Sequence, residues 1–335
     1  MTERQGPVVV TGIKPTGEPH LGNYLGMIRP ALDLAATHEA FVFVADAHAM
    51  TTVADPADLA RQTRRVAATL LALGLDPGRT ALYRQSDVPE VFELAWMLAC
   101  ETPKGVLNRA HAYKAAVDAN RRGGRPADDG VSAGLYTYPV LMAADILAVG
   151  ADVVPVGRDQ AQHLEVARDL AEAFNRSYGP VFAVPEPVVE PDVATVAGTD
   201  GRKMSKSYDN VIPIFAPPSE VAGRLRRFVT DSRRPEEPKD PDSCPLFGLY
   251  RQFAAGDDVA ALGHRYRAGG VGYGEVKAMI TRLLEERLGP PRRTYDTLLA
   301  EPDRLDAILV DGAARARRRA AAVLAAARRA RGSAA

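Results

Sequence analysis

Two kinds of block alternate along the first two thirds of the chain. Residues 8–11 are a β-branched run, residues 12–22 a turn-forming stretch, and from residue 23 to about 37 apolar positions recur at helical spacing. The succession then repeats. Residues 41–45 read as a second buried strand ending at Asp46, and residues 56–75 as a helix that Asp55 is placed to cap. Residues 81–83 read as a third strand and 91–100 as another helix. A polar, Gly-rich break at 120–130 predicts a mobile loop in a helical middle. The pattern resumes with a strand at 153–156 and a helix at 159–174, and residues 198–209 again read as a polar loop. Past a linker at 212–218 the β-branched runs stop and helical periodicity continues to the end.

Strands alternating with helices predict an α/β fold with a doubly wound, Rossmann-like parallel sheet over residues 1–212, carrying a helical insertion at about 101–150. Residues 213–335 are expected to form an α-helical domain. Ligands of such sheets lie beyond the carboxyl ends of the strands, so the turn after the first strand is where chemistry is expected.

Composition changes this picture little. A chain of 335 residues exceeds one minimal core, in keeping with two domains. Its 42 basic and 42 acidic side chains cancel, so net charge points to no polyanionic partner. The distribution is less even: no acid follows Asp311, while Arg315, Arg317, Arg318, Arg319, Arg328, Arg329 and Arg331 crowd the end. Such a cluster suits either a solvated helix face or a phosphate backbone. Cys100 and Cys244 stand far apart without CxxC spacing, which argues against a disulfide scaffold and a cysteine-ligated zinc. The start, MTERQGPVVV, is polar where a secretory signal needs an apolar stretch. The most apolar region, 136–156, is broken by Asp145, Asp152 and proline, so no membrane span and a cytoplasmic location are expected.

Two constellations carry candidate chemistry. The first is Pro15-Thr16-Gly17-Glu18-Pro19-His20-Leu21-Gly22-Asn23, between a strand and a helix. Backbone N–H groups there suit an anion, Gly22 permits close approach of a nucleotide, and His20 and Asn23 add side-chain donors. A turn histidine can equally be a plain surface residue. The second is Lys203-Met204-Ser205-Lys206-Ser207, where two lysines three apart suit a clamp on phosphate oxygens, or simply a solvated loop. Between them, Tyr138, Met142 and Asp145 fall at i, i+4 and i+7 and share one helix face. Tyrosine and methionine make a polarizable wall for an aromatic guest. A carboxylate on an apolar stretch is costly unless it accepts a hydrogen bond, which an indole N–H, a neighbouring lysine or a backbone amide could supply.

In this order and on this pattern, the two constellations resemble the class I aminoacyl-tRNA synthetases: HLGN is similar to their first signature and KMSKS is their second. The closer resemblance is to the tryptophanyl-tRNA synthetase family. It is carried by GLYTYPVLMAADILAVGADVVPVGRDQAQHLEVARDLAEAFN at 134–175, VADAHAMTT at 44–52, FVTDS at 228–232 and GYGEVK at 272–277. The resemblance implies that Asp145 reads the indole, Gln160 and Tyr138 hold the tryptophan ammonium, and Met142, His48, Val10, Val154 and Val156 complete the pocket. His48 could instead be a core histidine at a strand end. It further implies that Lys14, Pro15, Thr16, Gly22 and Asn23 frame ATP, with Gly157, Arg158 and Asp159 near the ribose and Val196 offering backbone to adenine. Lys203, Met204, Ser205, Lys206 and Ser207 would close on the phosphates, and Lys114 would reach them from the insertion.

The implied reaction has two steps, formation of tryptophanyl-adenylate with release of pyrophosphate and transfer of the tryptophanyl group to tRNA(Trp). His20, Asn23, Lys114, Lys203 and Lys206 would act by positioning and charge stabilisation rather than as nucleophiles. Mg²⁺ would come with ATP, with no dedicated metal site on the protein. The helical last third, its arginine-rich final helix included, would face the tRNA, and a homodimer is implied. The chain departs from the family where many members carry glutamine and an aromatic residue, having Lys14 and Val10 instead. The departure puts pocket shape, and sensitivity to tryptophan-mimicking inhibitors, in doubt. The nearest rival is the sister tyrosyl enzyme; a non-catalytic paralogue and a small-substrate nucleotidyltransferase are more distant ones.

Overall fold

The structure, a computed structural model, describes residues 6–156, 161–189 and 196–333. Strand β1 is Val8–Ile13, and the chain then enters a continuous helical segment. That segment comprises α1 (Leu21–Asn23), a π-helical turn (Tyr24–Ile28) and α2 (Arg29–Ala35). The wider turn precedes Pro30, whose missing N–H would leave a gap in a regular ladder. Strand β2 (Glu39–Val44) leads to α3 (Asp46–Ala49) and α4 (Pro56–Ala72), which Asp55 caps by accepting from Ala57 N at 3.1 Å. Strand β3 (Ala81–Arg84), α5 (Pro89–Ala99), α6 (Lys104–Leu107), α7 (His111–Arg122) and α8 (Ala133–Ala148) follow. The α/β half closes with β4 (Val153–Val156), α9 (Ala161–Tyr178) and β5 (Glu186–Val189). Helices α10 (Pro218–Arg226), α11 (Pro245–Arg251), α12 (Gly256–Ala268), α13 (Tyr273–Ala300) and α14 (Pro302–Ala330) complete the chain.

All five strands are parallel, in the order β3-β2-β1-β4-β5. The order reverses at β1, so the crevice between the carboxyl ends of β1 and β4 is where a doubly wound sheet takes a ligand. Strand β5 escaped the sequence pattern because it is a short edge strand containing Pro187, whose missing N–H an edge tolerates. The break at 120–130 is not a free loop. Its first residues finish α7, and buried Asn120 donates from Nδ2 to the carbonyls of Ala127 and Asp129 at 3.0 and 2.8 Å.

Alternating strand residues feed two cores. Phe41, Phe43, Ala81 and Tyr83 join Val8 and Val10 on the face covered by α5, α8 and α9. Val42, Val44 and Leu82 join the opposite core, which continues without interruption into Val276, Ile280 and Leu284 of α13. Helix α14 crosses from one core to the other: Leu305 and Leu309 lie in the second, Ala313, Ala316, Ala320 and Leu324 in the first. The crossing is at Gly312, where a Cβ would sit 1.9 Å from the Leu82 carbonyl oxygen of the edge strand. The helix thereby covers an edge that would otherwise be open to pairing.

This placement engages most of the terminal arginines within the chain. Arg317 pairs with Glu90, Arg328 with Glu93, Arg331 with Glu101 and Arg319 with Glu39. Arg315 donates to the carbonyl oxygens of Pro77 and Thr80. The physical reason is the Leu/Ala stripe of α14, which must be buried and turns its flanking arginines onto acids of the sheet domain. Arg318 and Arg329 alone of the seven keep an exposed position without an ion pair among the described residues.

Candidate active site

The turn after β1 and the 203–207 loop meet above the carboxyl edge of the sheet. His20 precedes α1 and closes a reciprocal cap: its Nδ1 accepts from Asn23 N at 3.3 Å, and Asn23 Oδ1 accepts from His20 N at 3.1 Å. Because Nδ1 accepts, the ring proton resides on Nε2, the remaining donor. His20 is 6% exposed. Burial, helped by the charge of Lys206, lowers its pKa to about 4, so the ring is neutral at pH 7.

The second loop is a hairpin. Gly198 N bonds Arg202 O at 2.7 Å and Met204 N bonds Val196 O at 2.8 Å, presenting Lys203 to Ser207 toward the first turn. The Lys206 ammonium donates to Thr16 O at 2.6 Å, across 190 residues of sequence. Gly22 N points at Met204 Sδ, 3.3 Å away. Leu21 N and Ile214 N bond Ile212 O and Pro19 O at 2.9 and 3.1 Å, tying both loops to the linker. Glycine is needed at two of these contacts. A Cβ on Gly22 would lie 3.0 Å from His20 Nδ1, and Gly17, at φ +82, would carry one 3.1 Å from Lys206 Nζ. Partial burial lowers the Lys206 pKa, while Glu18 acts in the opposite direction.

Asn210 organises this hairpin, although it was not among the residues the sequence singled out. It is 1% exposed. Its Oδ1 accepts from Ser205 N at 2.7 Å, and its Nδ2 donates to Lys203 O and Asp200 Oδ1 at 3.0 and 2.6 Å. An asparagine three residues past the loop motif, able both to donate to and to accept from backbone, was the available signal.

The third part of the site lies across the sheet edge on α8. Asp145 is 3% exposed and shares the face with Tyr138 and Met142. Its partners are neither lysine nor backbone: Gln85 Nε2 donates to Oδ1 and Oδ2 at 2.9 and 2.8 Å, and His48 Nε2 lies 3.0 Å from Oδ2. Burial raises the Asp145 pKa, and the His48 and Gln85 hydrogen bonds oppose that rise. His48 stands edge-on to Tyr138, with ring centroids 6.3 Å apart. Gln85 was also missed, although it is the polar residue at the carboxyl end of β3, where ligands of this fold gather. Val10 and Val154 are buried in the core beneath. Lys14 reaches sideways to Thr51 Oγ1 at 3.1 Å, and partial burial lowers its pKa. Thr51 Oγ1 in turn donates to His48 O at 2.8 Å, which links Lys14 to the pocket wall.

Two expectations are not brought into this cluster. Lys114 stands exposed on α7, and among the described residues no hydrogen bond or ion pair joins its side chain to either signature loop. Gly157, Arg158, Asp159 and Gln160 lie outside the described residues, as does the side chain of Val156. Val196 is described and supplies a backbone acceptor to Met204 N.

The family described as "tRNA synthetases class I (W and Y)" matches residues 2–289. Fold, paired signature loops and this match define a class I synthetase of the tryptophan and tyrosine branch. A tryptophan–tRNA ligase of Pseudomonas aeruginosa is 53% identical over 316 residues, covering 92% of this chain and 70% of the relative. A tryptophanyl-tRNA synthetase of Campylobacter jejuni, solved in complex with ADP and tryptophan, is 41% identical with a TM-score of 0.87, covering 97% of this chain and 99% of its own. The chain belongs to the tryptophanyl-tRNA synthetases, the tryptophan–tRNA ligases of class I. A tyrosyl-tRNA synthetase of Archaeoglobus fulgidus, 21% identical with a TM-score of 0.66 and covering 88% of this chain and 91% of its own, shares the fold alone.

Proposed function

We propose that this site activates L-tryptophan with ATP and passes the tryptophanyl group to tRNA(Trp), with the residues above in the following roles. The observation that carries the reading is the contact of the two signature loops, Lys206 on Thr16 and Gly22 on Met204, beside a buried carboxylate held by donors. The neutral His20 offers Nε2–H and Asn23 its Nδ2 to the nucleotide, framed by Lys14, Pro15, Thr16 and Gly22. Lys203 and Lys206 stabilise charge on the leaving phosphates, a contribution made by positioned donors in a partly water-excluded cleft. Asp145 accepts the indole N–H, and Tyr138, Met142, His48, Val10 and Val154 shape the wall. Gly157, Arg158, Asp159, Gln160 and Val156 retain the ribose, ammonium and wall roles that the family resemblance gives them. Mg²⁺ enters with the phosphates whose charge it neutralises. Lys114 retains the phosphate role that the family resemblance gives it.

The tRNA is met by the helical last third, where Arg318 and Arg329 of α14 remain exposed and without an ion pair among the described residues. The chain acts in the cytoplasm, where tRNA and ATP are at hand; among the described residues no helix is long and apolar enough to cross a membrane. A two-fold homodimer is supported by α5, which exposes Phe92 and, one turn on, Trp96 at 72%. Light scattering on Trp96→Lys should report a monomer where the unaltered chain reports a dimer.

ATP–pyrophosphate exchange across the twenty amino acids tests the central reading. Exchange with tryptophan alone is expected. Exchange with tyrosine would move the substrate, and no exchange with any amino acid would overturn the assignment of these residues to catalysis.

A further inference from the structure

Gln85 is held more firmly than a surface amide. It opens the short 3₁₀ turn after β3, and the next residue is fixed by buried Asp46, which accepts from Ser86 N at 3.0 Å and Ser86 Oγ at 2.5 Å. Arg84, on the other side, pairs with Asp87 and with Asp306 of α14 at 2.7 and 3.0 Å. Gln85 itself is 1% exposed. Its Oε1 accepts from His48 N at 3.2 Å, which settles the amide orientation and turns Nε2 onto Asp145. The same residue therefore fixes the His48 backbone and the Asp145 carboxylate.

A carboxylate has about four acceptor positions, two on each oxygen. Oδ2 receives Gln85 Nε2 and His48 Nε2; among the described residues Oδ1 receives only Gln85. We propose that Gln85 is a specificity-determining positioning residue, which leaves Oδ1 as the single open acceptor and aims it at one N–H donor of an aromatic guest. The inference rests on the reading of Asp145 as the indole acceptor and adds the residue that sets its geometry. A guest without the N–H leaves Oδ1 desolvated and unpaired, and that is the source of rejection. Without Gln85 the carboxylate can turn, and its ionised form loses two hydrogen bonds. Discrimination should then fall and acid sensitivity should move to higher pH.

The test compares the wild type, Gln85→Met, Gln85→Glu and Asp145→Asn in pyrophosphate exchange. The substrates are tryptophan and its benzothiophene isostere, in which sulfur replaces the indole N–H. Methionine keeps length and flexibility without polarity; glutamate keeps the acceptor for His48 N but sets a second acid against Asp145. For both Gln85 variants the ratio of kcat/KM between the two substrates should fall about tenfold or more. The loss should lie in KM for tryptophan, KM for ATP should change little, and the acidic limb of kcat/KM for tryptophan should rise in pH. A merely structural role would lower kcat for both substrates together and leave their ratio and the pH limb in place. If both Gln85 variants keep the wild-type ratio while Asp145→Asn loses it, the role of Gln85 is wrong and that of Asp145 stands. If Asp145→Asn also keeps the ratio, the reading of Asp145 itself fails.

Discussion

Gly198→Ala adds one methyl group to the hairpin that carries Lys203 to Ser207, and it should slow activation. The new Cβ would stand 2.3 Å from Asn210 Cγ and Nδ2 and 2.7 Å from Asn210 O. Non-bonded carbons settle at about 3.5 Å or more, so Asn210 must retreat by about 1 Å. A shift of that size breaks hydrogen bonds at 2.6–3.0 Å, and Asn210 makes three through its side chain, two of them to the backbone of Lys203 and Ser205. With two lost at about 1 kcal/mol each, the closed hairpin is destabilised by about 2 kcal/mol. If that closed form is what presents Lys203 and Lys206, adenylate formation slows about thirtyfold. Pyrophosphate exchange measures the rate, and titration calorimetry should find tryptophan affinity unchanged within about twofold. In an Asn210→Ala background the part of the Gly198→Ala effect that runs through the side chain should vanish, leaving the cost of the Cβ's 2.7 Å approach to the Asn210 backbone oxygen, so the two changes should be clearly sub-additive. An exchange rate within threefold of wild type, or full additivity of the two changes, would refute the reasoning.

Lys206→Ala should slow exchange by about ten- to a thousandfold with tryptophan affinity nearly unmoved, since one charge-stabilising donor is removed; an unchanged rate would contradict the clamp. Gly312→Ala forces a Cβ to within 1.9 Å of the Leu82 carbonyl oxygen, between two backbones that cannot swing aside. It should lower unfolding stability by about 3 kcal/mol, and a urea midpoint that hardly moves would show that α14 is not seated on β3. His20 has its pKa lowered to about 4 by burial, so the unfolded chain binds the extra proton first. Stability from this group is present above the ordinary histidine value of about 6.5 and is lost as pH falls toward 4, by up to about 3 kcal/mol. In His20→Asn, which keeps a capping acceptor, urea midpoints between pH 6.5 and 4 should fall less steeply than in wild type.

What could be read from the sequence was whatever local chemistry determines. The four buried strands declared themselves as apolar runs, and Asp55 announced the start of α4 because capping is a matter of adjacent residues. Helix ends moved by a few residues, and β5 was lost to its proline and its edge position. The signature loops were legible as motifs; their contact, Lys206 on Thr16, was not, since it joins residues 190 apart. Asp145 could be singled out as an acid on an apolar helix, yet its partners could not, because Gln85 comes from another strand and enters only once the sheet is ordered. The partners of the α14 arginines were out of reach for a related reason. Charge clustering is visible in sequence, whereas the acids that meet it are spread over β2, α5 and the turn after α5. A basic run beside a Leu/Ala stripe should therefore first be matched against acids of the chain's own core domain.

The route of α14 also connects the far end of the chain to substrate choice. The helix starts in one core, crosses the sheet edge at Gly312 and finishes in the other, so it cannot pack until β3 is in place. Once packed, its Asp306 pairs with Arg84 and Arg64, securing the residue immediately before Gln85. The edge of a parallel sheet is its least constrained strand, yet here that edge carries the residue that orients the buried carboxylate. A site held to within about 0.5 Å needs its supporting residues locked by packing, and on an edge strand the lock has to come from outside the sheet. Helix α14 supplies it from the covering side, and Asp46 supplies it from the start of α3 through Ser86. The last 29-residue helix is therefore as much a part of the amino-acid pocket as of the fold, although no atom of it need touch a substrate.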